Sequence, residues 1–328
     1  MCVDGFRDLV SFADAEDLVQ QFRVILARHG IKLCDDSDLG VACGAMTSVL
    51  LKHWYPALRD PGADIREEFR DALAVHALVH NALGAAQHPD FGQLLDHFRE
   101  LAKGGVRQNQ WTNVLDRIAP KVFELLIALA AMKMGTGLEL DHPTRSSRGT
   151  NPDVIVTING QRWAFACKML NTFAPGAPAK VRAYFDNIQD GVRQINNATV
   201  DHGMVVISMK NVINHERAWP LLNPEEFKHG AEPEYDSYQS AEKITDLLAT
   251  EARALHQAML DEMGEENVIA LFKNSKARPV VVQYLHTVGA VTCCDRTLAT
   301  PLAFLFAKID DVGLPIATLL NRALQHRT

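Results

Sequence analysis

The chain has 328 residues, 47% of them hydrophobic and 22% charged, with a formal net charge of −7. That balance is an ordinary globular one, long enough to bury substantial cores, and its negative sign leaves any nucleic-acid binding to a local basic patch. No uncharged apolar run reaches the ~20 residues that a membrane span needs.

The opening MCVDGFRDLV lacks a basic stretch followed by an apolar one, so no signal peptide is expected and the expected location is cytoplasmic. Residues 1–112 read as a helical N-terminal module. Ala15 to His29 keeps Leu18, Phe22, Ile25 and Leu26 at helical spacing, with Asp14 placed to cap the start and Gly30 the end. Val41 to Trp54, Ile65 to Leu83 and Phe91 to Lys103 continue the pattern. His76 and His80 stand four apart, a spacing that can chelate a metal, yet no acid completes an HExxH motif. They read as one face of a packed helix. A protein partner or a second copy of the chain is expected to use this module.

Residues 113–328 change character. Val114 to Met134 is a strongly apolar helix with one acid, Glu124, in its central turns, and Pro120 either kinks it or marks its true start. Leu138 to Leu140 is a short strand candidate, followed by a polar loop with Arg145 and Arg148. A hairpin comes next, then a loop from Thr172 to Pro178 and a helix from Ala179 to Thr199. Val181, Tyr184, Phe185, Ile188, Val192 and Ile195 make the core stripe of that helix. Gly203 to Met209 has the continuous apolar character of a strand buried on both faces. Asn223 to Ser237 reads as an exposed insertion, Ser240 to Met263 as a helix, Pro279 to Leu285 as a buried strand and Ile316 to His326 as the last helix. The six cysteines show no CxxC spacing, and adjacent Cys293 and Cys294 are poorly placed for a disulfide or a shared zinc ion, so reduced thiols are expected.

The hairpin carries the most information. Asn159-Gly160 lies between two alternating runs, a strong two-residue turn signal. The turn sets Ile158 opposite Gln161, Val156 opposite Trp163 and Asp153 opposite Ala166. One face then holds Val154, Val156, Ile158, Trp163, Phe165 and Cys167. The other holds Asp153, Ile155, Thr157, Ala164, Ala166 and Lys168, with the two small alanines leaving space above them.

Pro152-Asp153, a hairpin and then Ala166-Cys167-Lys168 resemble the PD-(D/E)xK, or restriction-endonuclease-like, nuclease superfamily. In that family an acid and an acid-x-lysine triplet on paired strands bind a divalent metal. The resemblance implies an α/β fold with an α-β-β-β-α-β core after the helical module, and a Mg2+- or Mn2+-dependent endonuclease acting on nucleic acid, DNA rather than RNA. It implies Asp153 as a metal ligand, the Cys167 backbone carbonyl as another, and Lys168 as a catalytic residue. Glu124 matches the helical acid that many members add as a ligand, and Gln194, in the run QDGVRQINNA, matches a glutamine that steadies water or phosphate.

This chain departs from the pattern at Ala166, where the family has Asp or Glu. Three outcomes are open: Glu124 reaches in from the preceding helix, Asp186 or Asp190 on the following helix serves as a migrated acid, or catalysis is lost and the fold is kept as a nucleic-acid- or protein-binding scaffold. Each has a plainer reading as well. Asp153 and Lys168 can be a cross-strand ion pair, Glu124 the partner of Lys121 one turn earlier, and Gln194 an exposed helix residue. Arg145, Arg148, Lys180, Arg182 and Arg193 flank the motif and would supply phosphate contacts if they line a cleft.

Overall fold

The computed structural model describes residues 8–10, 14–54, 66–104, 106–108, 117–145, 150–170, 178–213, 215, 237–293, 296–307 and 310–324. Arg148, Cys2, Cys294, the expected insertion up to residue 236 and the expected helical start at Val114 lie outside them.

The N-terminal helices fall close to where the apolar spacing sets them. They are α1 (Ala15–Arg28), α2 (Asp38–Trp54) and α3 (Arg66–Ala85). Gly30 closes α1 at φ +71°, with the Ile31 amide donating back to the Leu26 carbonyl. Asp14 stands at the start of α1 but makes no side-chain cap bond. The expected helix from Phe91 to Lys103 is instead a 3-10 turn, Pro89–Leu94, followed by α4 (Leu95–Leu101). A strand was not expected in this region, yet β1 (Asp8–Val10) pairs antiparallel with the late strand β7 (Arg296–Ala307). Three residues are too few to show a period, so only the partner strand reveals it.

The element order from α5 onward is α5 (Ala119–Met134), β2 (Thr136–Leu140), β3 (Val154–Ile158), β4 (Gln161–Met169), α6 (Pro178–Asn197) and β5 (His202–Ser208). Then come α7 (Ser237–Met263), α8 (Glu265–Ala270), β6 (Ala277–Cys293), β7 and α9 (Gly313–Leu324). Pro120 sits in the first turn of α5 and marks its start, as a residue without an N–H can only there at no cost. Glu124 therefore lies in the second turn rather than at the centre.

One seven-stranded sheet runs β1-β7-β6-β5-β4-β3-β2. Strands β4, β5 and β6 are parallel neighbours, and the remaining pairs are antiparallel. Helices cover both faces, as a parallel centre requires. On one face Val154, Val156, Trp163, Phe165, Met204 and Val282 share a core with α1 to α5 and α9. The N-terminal helices thus pack into the same apolar mass as the sheet. On the other face Ala164, Ala166, Val205, Ile207 and Val281 pack against α6 and α7.

Candidate functional site

The hairpin forms in the expected register, with Ile158 opposite Gln161 and Val156 opposite Trp163. Asn159 and Gly160 take φ of 51° and 78°, the left-handed pair that a two-residue turn matching the strand twist demands. Backbone pairing between β3 and β4 stops at Val154 and Phe165, one step short of Asp153. Beyond that step the Asp153 side chain takes over: the Cys167 N–H donates to Asp153 Oδ2 at 2.7 Å. On its other side the Asp153 carbonyl accepts from the Asp141 amide at 2.9 Å, which ties it to the end of β2. The aspartate is pinned at the point where three strands end or begin.

Burial pushes the Asp153 carboxyl up to about 7, and the neighbouring Glu124 charge pushes in the same direction. Lys168, the Cys167 amide and Lys121 pull it back. Two acids and two lysines thus act on one another at the carboxyl end of β4. The Cys167 thiol among them is held well above its usual range, by burial first and then by the Asp153 and Glu124 charges. It is a poor nucleophile there.

Glu124 is 5% exposed and fully engaged. Lys121 Nζ donates to its two carboxylate oxygens at 2.7 and 2.9 Å, and His97 Nε2 donates to Oε2 at 3.1 Å. His97, only 1% exposed on α4, was not singled out from the sequence. A single histidine between Asp96 and Phe98 in LDHFREL carries no spacing signal. It reaches Glu124 because α4 is anchored at both ends: the Asp90 carboxylate accepts from the Gly137 and Leu138 amides of β2 at 2.8 and 3.0 Å, and Gly104 lies so close to Ile118 that an added Cβ would stand 2.3 Å from its side chain.

The space expected above Ala166 does not exist. Helix α6 lies over it, and a Cβ on Gly191 would stand 3.4 Å from that of Ala166 and 2.8 Å from Val205. The small residues are there to let a helix approach. Asp186 and Asp190 point the other way: they are 51% and 49% exposed and pair with Arg182 and Arg193 at 3.0 and 2.6 Å. Gln194 is buried one turn beyond Gly191, toward Gly203 and the start of β4, and so away from Lys168. Arg182 and Arg193 share the outward face of α6. His76 and His80 lie side by side with near-parallel rings 6.0 Å apart, and burial, then the His80 charge, pushes His76 down to about 4.

Among the described residues, no group of three or more His, Cys, Asp or Glu side chains is arranged to hold a metal ion. The Asp153 carboxylate accepts from the Cys167 amide and feels the Glu124 charge. Among the described residues, no helix is long and apolar enough to cross a membrane. Comparison with known families, curated proteins and solved structures finds no match for the chain.

Proposed function

We propose that this protein is a metal-dependent nuclease of restriction-endonuclease-like fold that hydrolyses phosphodiester bonds in DNA rather than RNA. In this reading Glu124 supplies the carboxylate that position 166 lacks. What supports it most is the element order α-β-β-β-α-β, with Asp153 bonded to the Cys167 amide, Lys168 on the same strand and the Glu124 charge felt at Asp153.

Two carboxylates and a backbone carbonyl suit Mg2+ or Mn2+, which bind through one or two carboxylates and keep several waters. Burial first, and then the Glu124 charge, raise Asp153, and a divalent ion would offset both. Such an ion supplies charge neutralisation and an acidified water. Asp153 and Glu124 would hold it, with the Cys167 carbonyl beside them. Lys168 acts on Asp153 through space rather than being consumed by it, so its ammonium is left to stabilise charge on the phosphate. His97 keeps the Glu124 carboxylate oriented, as outer partners of ligands generally do.

The test is a cleavage assay of the full chain on plasmid DNA, linear DNA and RNA with Mg2+, Mn2+ or EDTA. DNA cleavage abolished by EDTA is expected. Lys168→Ala should lower the rate about 10²–10³-fold, the effect of deleting one preorganised electrostatic donor, while folding and metal binding persist. Asp153→Asn should weaken metal binding in calorimetry, because an amide lacks the charge that a hard cation selects.

A second reading is an inactive nuclease fold serving as a nucleic-acid- or protein-binding scaffold. It is favoured by one specific feature, the Lys121 ammonium already seated on both oxygens of Glu124. Absence of cleavage, with no metal binding either in the wild-type protein or in variants that remove the Lys121 charge, would decide for it.

A further inference from the structure

We propose that Lys121 is the resident counter-cation of this site and competes directly with a divalent metal for Glu124. The inference rests on the metal-dependent reading above and adds how loading of that site is controlled. Lys121 lies three residues before Glu124 on α5, a spacing that puts both on one helix face. Its ammonium contacts both carboxylate oxygens, at 2.7 and 2.9 Å, rather than one. Its field also reaches Asp153 and Cys167, so it belongs to the site and not to the outer surface of the helix. An ammonium so placed does part of a metal's work, since it cancels the charge of a buried acid that would otherwise be costly.

The same placement makes the two cations mutually exclusive in charge. A hard ion bonding Glu124 would bring two further positive charges within a few ångströms of Nζ, in a poorly hydrated site where repulsion is strong. Lys121 is able to yield. Its side chain is 18% exposed and its four-carbon stem is flexible, whereas His97 is 1% exposed and stays to hold the carboxylate. Metal entry therefore requires the lysine to swing toward solvent. The site in its ion-free form is closed by its own residue.

Mn2+ binding to the full chain, by calorimetry and by the electron-spin signal of the free ion, tests this in wild type, Lys121→Met and Lys121→Gln. The Met variant removes the charge at similar volume. The Gln variant keeps a hydrogen-bond donor for Glu124 and serves if the Met variant does not fold. Each variant is expected to bind Mn2+ at least about fivefold more tightly than wild type, the lower end of the usual coupling between two binding events. Each should also melt lower without metal and gain more from Mn2+ than wild type does. Adding Glu124→Gln to Lys121→Met should cancel the gain. Binding in the variants alone, with none in wild type, would support the same competition in a stronger form. Wild type that binds Mn2+ with variants no tighter would overturn the role of Lys121 and leave the metal reading intact, whereas a gain that survives Glu124→Gln would overturn the roles of both Lys121 and Glu124. No Mn2+ binding in any of the proteins would overturn both.

Discussion

The two faces of the β3–β4 hairpin have opposite construction. Toward α6, Ala164 and Ala166 are flat ground on which Gly191 settles, and the acids of that helix are turned outward to arginines. Toward α5, an otherwise apolar interface of Val156, Phe165 and Phe123 gives way at one end to Glu124, Lys121 and His97. One face spends small residues on close packing. The other accepts buried charge, which is tolerable only because each charge has partners. Asp153 sits at the strand end, held by the Cys167 amide and within the field of Glu124 from α5.

Breaking that contrast should have its largest effect at Ala166. Ala166→Glu would drive a carboxyl into the contact with Gly191 and Val205. Overpacking and unpartnered burial together should cost about 3–5 kcal/mol, read as a lower midpoint in chemical denaturation. A stable Ala166→Glu protein with raised activity would show that α6 can lift and that the packed face is also a working one.

A smaller effect should appear as a pH slope. The folded state holds a proton on Asp153 up to about 7, whereas the unfolded chain releases it near 3.8. The folded form therefore binds more protons across that interval, and stability from this group falls as pH rises from about 4 to about 7. In melting curves of the metal-free protein, Asp153→Asn should flatten that decline relative to wild type. An unchanged slope would mean that burial and the Glu124 charge do not raise Asp153 in this way.

The least effect belongs to the outward acids. Asp186→Asn and Asp190→Asn each remove one exposed pair and should change stability by no more than about 0.5 kcal/mol, with metal binding and cleavage unaltered. Loss of cleavage in either variant would move the replacement acid to α6 and away from Glu124.

Much of the fold was legible because it depends on near neighbours. The Asn159-Gly160 turn, the alternation along β3 and β4, the stripe on α6 and the glycine end of α1 are all decided within a few residues. The strand β1 and the 3-10 turn at Pro89 were not legible, since their formation is settled by β7 and by the bonds that Asp90 makes to β2. The alanines on β4 show the limit within one motif. Alternation assigned them to the correct face, but small residues signal either an empty pocket or a close neighbour, and sequence spacing does not distinguish the two.

By itself the sequence determined the hairpin, its register and the candidate chemistry of Asp153, Glu124 and Lys168, because residue type and period are local properties. Only the tertiary structure decided which groups act on one another. The Cys167 amide turned Asp153 into the closing bond of the strand ladder, α6 filled the ground over Ala166, and α4 brought His97 to a glutamate 27 residues away. Those contacts depend on how helices dock across a sheet, and docking is set by the summed shape of side chains from distant parts of the chain.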